Sequence, residues 1–582
     1  MNITVCTLNA KYIHTNLAIR YLKSYCEDAY NIRIAEYTIK DPVMNIVSDL
    51  YSQKPDVVGF SCYIWNIEES IRVAGMLKKV LPECTIIFGG PEVTYDVPYW
   101  LERLQDVDFI VIGEGEKTFR MLLDQLSGEQ DFSSVPGIAY RENGKQEIRP
   151  QTNKIDLRDM PSPFRFPEDR DSLGKRITYI ETSRGCPFRC QFCLSSIETG
   201  VRYFDREKVK EDIRYLMNNG AKTIKFVDRT FNISRSYAME MFQFLIDEHV
   251  PGTVFQFEIT GDIMRPEVIQ FLNENAPAGL FRFEIGVQST NDGVNELVQR
   301  KQNWDKLVRT VTMVKDGGKI DQHLDLIAGL PEEDYSSFRN TFNDVFALRP
   351  EEMQLGFLKL LRGTGLRLSA RQYGYEYMDQ APYEMLSNRV LPFDDVIRIK
   401  QTEDVLEKYW NDHRTDETID YIVHFLARSP FDFFQDFGAY WEEQGWGRIG
   451  HQLEDLFKRL HAFLLSAYPH AAHQAESIMK YDYLHNQRFK PRKPWWDSEA
   501  GDVQNALYNK LANSPELLGE SFASLKLREK ELHKHTILEP VAMQKKNGEW
   551  IQKDGWLLAY FNPDGTGSRL FFLTESLAET AY

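Results

Sequence analysis

The stretch Cys186-Pro187-Phe188-Arg189-Cys190-Gln191-Phe192-Cys193 closely follows the β-rich run Arg176-Ile177-Thr178-Tyr179-Ile180-Glu181-Thr182. Three thiolates at C-x3-C-x2-C spacing on a strand-end loop can hold three irons of a [4Fe–4S] cube. No Cys follows Cys193, so one iron of such a cube is left open to a substrate or cofactor. Two other readings of the spacing stand beside this one. In one the thiols fill an apolar core; in the other they belong to a zinc site, for which His323 is the best distant fourth ligand.

Outward from the loop, the chain of 582 residues is long enough for three or four domains. It carries 69 basic and 86 acidic residues, a net charge of −17, which argues against a broad phosphate-binding surface. No apolar run is long enough to span a bilayer, and the start, Met1-Asn2-Ile3-Thr4-Val5-Cys6, lacks the pattern of a secretory signal. Seven Cys in this length do not make a disulfide framework. The expected setting is the reducing cytoplasm, without membrane attachment.

In residues 1–130 short apolar runs at Ile3–Leu8, Ile32–Tyr37, Val57–Cys62, Thr85–Phe88 and Phe109–Ile112 alternate with helical patterns. This predicts a parallel sheet with helices on both faces, of Rossmann type. Ligands of such sheets bind at the carboxyl ends of the strands. Those ends read Ser61-Cys62-Tyr63, Gly89-Gly90-Pro91-Glu92 and Gly113-Glu114-Gly115-Glu116. The order resembles cobalamin-binding domains, where a Ser follows the third strand and a Gly-Gly pair the fourth; Ser61, Gly89 and Gly90 are the matching positions, with Gly113 and Gly115 on the next loop. The Asp-x-His-x-x-Gly motif of those domains is absent. His14, in Asn9-Ala10-Lys11-Tyr12-Ile13-His14, is the nearest candidate for the cobalt, at a spacing that does not match. Residues 131–172 read as a linker, with a small Asn143-Gly144 hairpin and Pro150, Pro161, Pro163 and Pro167.

Residues 173–370 resume strand–helix alternation, with strands at Thr223–Val227, Gln256–Ile259, Arg282–Val287, His323–Ile327 and Gln354–Leu358. With the strand before Cys186 this makes six, short of the eight of a closed (β/α) TIM barrel. The segment resembles the radical SAM superfamily and, with the upstream domain, its cobalamin-dependent branch. The resemblance implies Cys186, Cys190 and Cys193 on a [4Fe–4S] cluster. It implies contacts to S-adenosylmethionine (SAM) from Phe192, Asp228, Glu258, Gln288, Ser289, Ile327 and Gly329. Where many relatives carry a second acid after the second strand, this chain has Arg229.

Residues 371–582 read as a mainly helical extension ending in a β-hairpin at Trp556–Phe561 and Arg569–Leu573. They resemble an uncharacterised extension of one subfamily. Arg488-Phe489-Lys490-Pro491-Arg492-Lys493-Pro494-Trp495-Trp496 interleaves cations with aromatics, as single-strand nucleic-acid sites do; a connector with its tryptophans on the core is the expected reading. The resemblance implies an enzyme that reductively cleaves SAM to a 5′-deoxyadenosyl radical, with cobalamin as second cofactor. A C-methyltransferase acting on an unactivated carbon is expected; the alternatives are a radical cyclase or rearrangement enzyme, or a non-catalytic cluster and corrin sensor. No catalytic residue is assigned beyond the cluster. The expected partners are an external electron donor of flavodoxin or ferredoxin type and a small-molecule substrate rather than nucleic acid.

Overall fold

The computed structural model describes residues 1–152, 154–198, 200–498 and 501–574. They form two units, 1–396 and 397–582.

The first unit opens with a seven-stranded sheet. Its strands are β1 (Ile3–Asn9), β2 (Ile32–Thr38), β3 (Val57–Ser61), β4 (Thr85–Gly89), β5 (Phe109–Val111), β6 (Ile138–Glu142) and β7 (Lys145–Arg149). They lie in the order β2-β1-β3-β4-β5-β6-β7. The first five pair in parallel, while β6 and β7 are antiparallel. The hairpin in the segment read as a linker is therefore the edge of this sheet: Ile138, Ala139 and Tyr140 are buried and bring it in. Neighbouring residues on a strand point to opposite faces, so Val5 and Val57 enter one core while Cys6 and Val58 enter the other. Cys6, Cys62 and Cys84 pack in one core and Cys26 in the other, which accounts for the four N-terminal thiols. At the switch point between β1 and β3, Asn66 donates to the carbonyls of Leu8 and Ser61 and ties the two loops together.

The second half of this unit is a six-stranded parallel partial barrel. In spatial order it runs β15 (Glu352–Phe357), β14 (Asp321–Ala328), β13 (Phe281–Gln288), β12 (Val254–Ile259), β11 (Thr223–Phe226) and β8 (Ile177–Ile180). Between β8 and β11 lies an antiparallel ribbon of β9 (Ser183–Cys186) and β10 (Gly200–Tyr203). Along β13 burial alternates strictly. Phe281, Phe283, Ile285 and Val287 pack outward, where Phe281 and Phe283 meet Phe242 of the helix Arg235–Glu248. Arg282, Glu284, Gly286 and Gln288 face the barrel interior. That interior is polar: Lys225 pairs with Glu284 at 2.7 Å, and His323 lies 3.0 Å from both Asp325 and Glu352. Beyond the barrel, β16 (Glu376–Tyr377) and β17 (Met385–Ser387) form a short ribbon.

The second unit is mostly helical. Phe431, Phe433, Phe434, Phe437 and Trp441 of the helix Pro430–Glu443 are buried. The terminal hairpin is part of a three-stranded antiparallel sheet of β18 (Thr536–Lys546), β19 (Glu549–Phe561) and β20 (Ser568–Thr574). Trp495 and Trp496 are buried against Phe457 and Tyr483, while Arg488, Lys490, Arg492 and Lys493 stay exposed. The two tryptophans of this basic stretch thus belong to the core, while Phe489 is exposed. Among the described residues no helix is long and apolar enough to cross a membrane.

Candidate functional site

Cys186 closes β9, and the loop to β10 carries Cys190 and Cys193. The ribbon at its base depends on Gly185, at φ +101°, where a Cβ would overlap the Gly200 carbonyl. Farther out, the Gln191 amide donates to Val298 O and its carbonyl accepts from Leu366 N, both at 2.9 Å. Cys193 N donates to Cys190 O at 3.0 Å. The Thr230 hydroxyl, on the facing strand end, donates to Arg229 O at 2.6 Å, and Arg300 Nη1 lies 4.0 Å from Cys190 Sγ. Burial pushes the Cys186 and Cys190 thiols up, so they give up protons when a metal binds.

Among the described residues no three His, Cys, Asp or Glu side chains converge on a single metal ion. His323 is instead a barrel cation: its burial opposes the charge, but Asp325 and Glu352 raise it to about 10. Three thiols on one loop, with a guanidinium beside Cys190, suit the several irons of a cluster.

The residues expected around SAM separate into two groups. Glu258, Gln288 and Ile327 face inward at the carboxyl ends of β12, β13 and β14, and Phe192 is half-buried on the thiol loop. Burial pushes Glu258 up to about 7, against the pull of Arg229 and Lys225. Gln288 sits at φ +69°, where the β13–β14 register shifts, and its Oε1 is buried without a partner. A strained residue with an orphaned acceptor at a strand end is of the kind found at ligand contacts, and hydroxyl or ammonium donors of a ligand would satisfy its oxygen.

The other group is engaged elsewhere. Asp228 is buried and accepts from Thr182 N at 3.0 Å, from Thr182 Oγ1 at 2.7 Å and from Ser183 Oγ at 2.5 Å. It braces the strand that leads to Cys186. Ser289 is fully buried and donates to Glu333 at 2.6 Å. Gly329, at φ +93°, has its carbonyl taken by Tyr375 Oη at 2.7 Å. Arg300, which sequence reasoning passed over, donates to Gly286 O and is the cation beside Cys190.

On the N-terminal sheet, Ser61, Gly89 and Gly90 meet at the ends of β3 and β4. Cys62 N donates to Gly89 O at 2.7 Å. Gly90, at φ +112°, leaves no room for a side chain: a Cβ would lie 2.5 Å from Cys62 O. Beside them Tyr63 stacks on Trp65 at 4.3 Å, and Trp65 and Tyr12 are exposed. The stacked Tyr63 and Trp65 rings and the glycine backbone are of a chemistry that would suit the face of a corrin. Gly113 and Gly115 belong instead to the junction with the barrel, where Glu114 pairs with Arg202 and Glu116 with Arg184, which also binds Glu181. Arg184 is half-buried two residues before Cys186. His14 is turned the same way: its Nδ1 is 2.7 Å from Tyr179 Oη, and its carbonyl accepts from Arg176. Its pKa is lowered by burial first and by Lys11, Lys225 and Arg176 after it.

Three family models match the chain: "B12 binding domain" over residues 3–123, "Radical SAM superfamily" over 180–345 and "Protein of unknown function (DUF4080)" over 371–558. An uncharacterized methyltransferase of Pyrococcus horikoshii is 30% identical over 233 residues, 39% of this chain and 51% of that protein. The cobalamin-dependent radical SAM methyltransferase TokK of Streptomyces tokunonensis is 26% identical over 405 residues, 64% of this chain and 58% of that protein. The chain thus spans little more than half the length of these relatives. The radical SAM methyltransferase TsrM of Kitasatospora setae, solved with cobalamin and a [4Fe–4S] cluster, superposes with a TM-score of 0.56 at 14% identity. That match covers 66% of this chain and 79% of TsrM, and it shows a shared fold.

Proposed function

We propose that this chain, which joins a B12-binding domain, a radical SAM domain and a DUF4080 region, is a cobalamin-dependent radical SAM enzyme that transfers a methyl group to carbon. The observation that carries the reading is a three-thiol loop at the carboxyl ends of a partial barrel, joined in one unit to a B12-binding sheet. When bound, the cluster supplies the electron that cleaves SAM to a 5′-deoxyadenosyl radical, and the corrin supplies a carrier for methyl. Cys186, Cys190 and Cys193 hold the cluster. Arg300 offers a cation to the SAM carboxylate beside Cys190, while Glu258 and Gln288 orient its ribose and amino groups. Tyr63, Trp65 and the Gly89-Gly90 backbone face the corrin.

An external flavodoxin- or ferredoxin-type donor brings the electron, the substrate is a small molecule, and the setting is cytoplasmic, in keeping with seven unpaired thiols. The test is anaerobic reconstitution. About four irons per chain, one corrin per chain and 5′-deoxyadenosine on reduction are expected, and Cys190→Ala should lose iron and cleavage together. Full iron without SAM cleavage, or cleavage with no corrin bound, refutes the reading.

A further inference from the structure

Arg229 follows Asp228 at the end of β11, and its backbone is held from both sides. Asp228 is bonded to Thr182 and Ser183. Three residues after Arg229, the Asn232 side chain exchanges 2.9 Å hydrogen bonds with the backbone of Thr260, and the Thr230 hydroxyl donates to Arg229 O at 2.6 Å. The backbone is fixed, yet the Arg229 side chain is exposed, and no hydrogen bond or ion pair of it occurs among the described residues. Its charge is felt by four groups on four different segments. These are Cys186 on the thiol loop, Glu258 on β12, Tyr63 after β3 and Tyr95 after the Gly89-Gly90 turn. Tyr95 in turn packs on Gly363, beyond the last barrel strand. By its backbone, Arg229 stands at the carboxyl end of β11, beside the strand that leads to Cys186 and the end of β12, where ligands of a parallel sheet bind.

We propose that Arg229 is a specificity-determining residue that binds a carboxylate or phosphate group of the substrate. Guanidinium donors match the two oxygens of either group. A chain with net charge −17 repels anions, so a cation at the mouth decides whether one can enter. The SAM carboxylate has its own cation in Arg300, held beside Cys190 by Gly286 O and Gln302. Arg229, exposed and unpaired among the described residues, is thus left for a second anion. This inference rests on the enzyme reading above.

The test uses reconstituted holoenzyme under reducing conditions, with a deproteinised extract of the host cells as probe. An anion exchanger divides the extract into a retained, anionic fraction and a flow-through. The readout is 5′-deoxyadenosine formed above the extract-free rate. Stimulation by the retained fraction, reduced tenfold or more in Arg229→Gln and in part restored in Arg229→Lys, supports the proposal. Phosphatase treatment of that fraction then separates phosphate, where stimulation is lost, from carboxylate, where it persists. Stimulation by the flow-through alone, by neither fraction, or equally in Arg229→Gln overturns it. So does a tenfold rise in the SAM Kd of Arg229→Gln by equilibrium dialysis, which would make Arg229 a SAM residue. If Arg229→Gln takes up no iron, Arg229→Lys decides: a threefold loss of stimulation at unchanged SAM Kd supports the proposal, and no loss overturns it. Failure of the enzyme reading is distinguishable, because no 5′-deoxyadenosine then forms at all, and the inference falls with it.

Discussion

Replacing Asp228 by Ala separates a brace of the thiol loop from a SAM ligand. The carboxylate accepts three hydrogen bonds, two from Thr182, which is fully buried, and one from Ser183. In Asp228→Ala the Thr182 amide is left buried and unpaired, which costs about 1–3 kcal/mol, and each lost hydroxyl bond adds about 1 kcal/mol. The sum is about 3–5 kcal/mol, which lowers the melting midpoint of this 396-residue unit by about 4–6 °C. Asp228→Asn keeps the shape and an acceptor for the amide, so it loses only about 1 kcal/mol. Because Ser183 begins the strand that ends in Cys186, iron content after reconstitution should fall in the order wild type, Asn, Ala. SAM affinity of the iron-loaded fraction, measured by equilibrium dialysis, should change less than threefold. An Ala variant with full iron and an unchanged midpoint, but SAM binding weakened tenfold, would refute the reasoning.

Three further outcomes follow from local geometry. Gln288→Gly relieves a left-handed backbone that costs about 1–2 kcal/mol, so the midpoint should hold or rise in a thermal melt while SAM Kd rises tenfold or more. Gly90→Ala forces the β3 and β4 loops apart against Cys62, and hydroxocobalamin affinity should fall about tenfold with iron content unchanged. Glu92 is buried and accepts from Tyr383 Oη at 2.5 Å; burial raises its pKa to about 7, against Tyr383 and Arg362. A carboxyl raised in the folded state favours folding fully below its unfolded pKa, and that contribution is lost as pH rises from about 4.5 through 7, by up to about 3 kcal/mol. Hydrogen exchange of residues 360–385, corrected for intrinsic rate, should therefore quicken between pH 5 and 8 in the wild type, and Glu92→Gln should abolish that trend.

What the sequence made legible was local. The alternation along Phe281–Gln288 and the thiol spacing each lie within eight residues, and both survive in the fold. The hairpin at Ile138–Arg149 was equally legible, but not its place at the sheet edge, which depends on Phe109–Val111 some thirty residues away. The site residues that the structure directs elsewhere do so through distant partners. His14 meets Tyr179 across 165 positions, and Arg300 meets Cys190 across 110. Periodicity reports which face a residue takes, not which far segment waits there. Gln288 was identified by resemblance, yet its positive φ and orphaned oxygen arise only once β13 and β14 slip in register.

The anchoring of Gln191 to Val298 and Leu366 has a consequence for how the protein is made. All three thiols leave the ribosome before Thr230, Val298, Arg300 or Leu366 exist, and Leu366 comes 173 positions after Cys193. At roughly 5–20 residues per second, the nascent thiols wait about ten to thirty-five seconds without the segments that later enclose them. During that interval any soft metal or oxidant can reach them. Iron delivery is therefore best timed to a finished first unit, and yield in a heterologous host should respond to the rate of synthesis as much as to the supply of iron and sulfide.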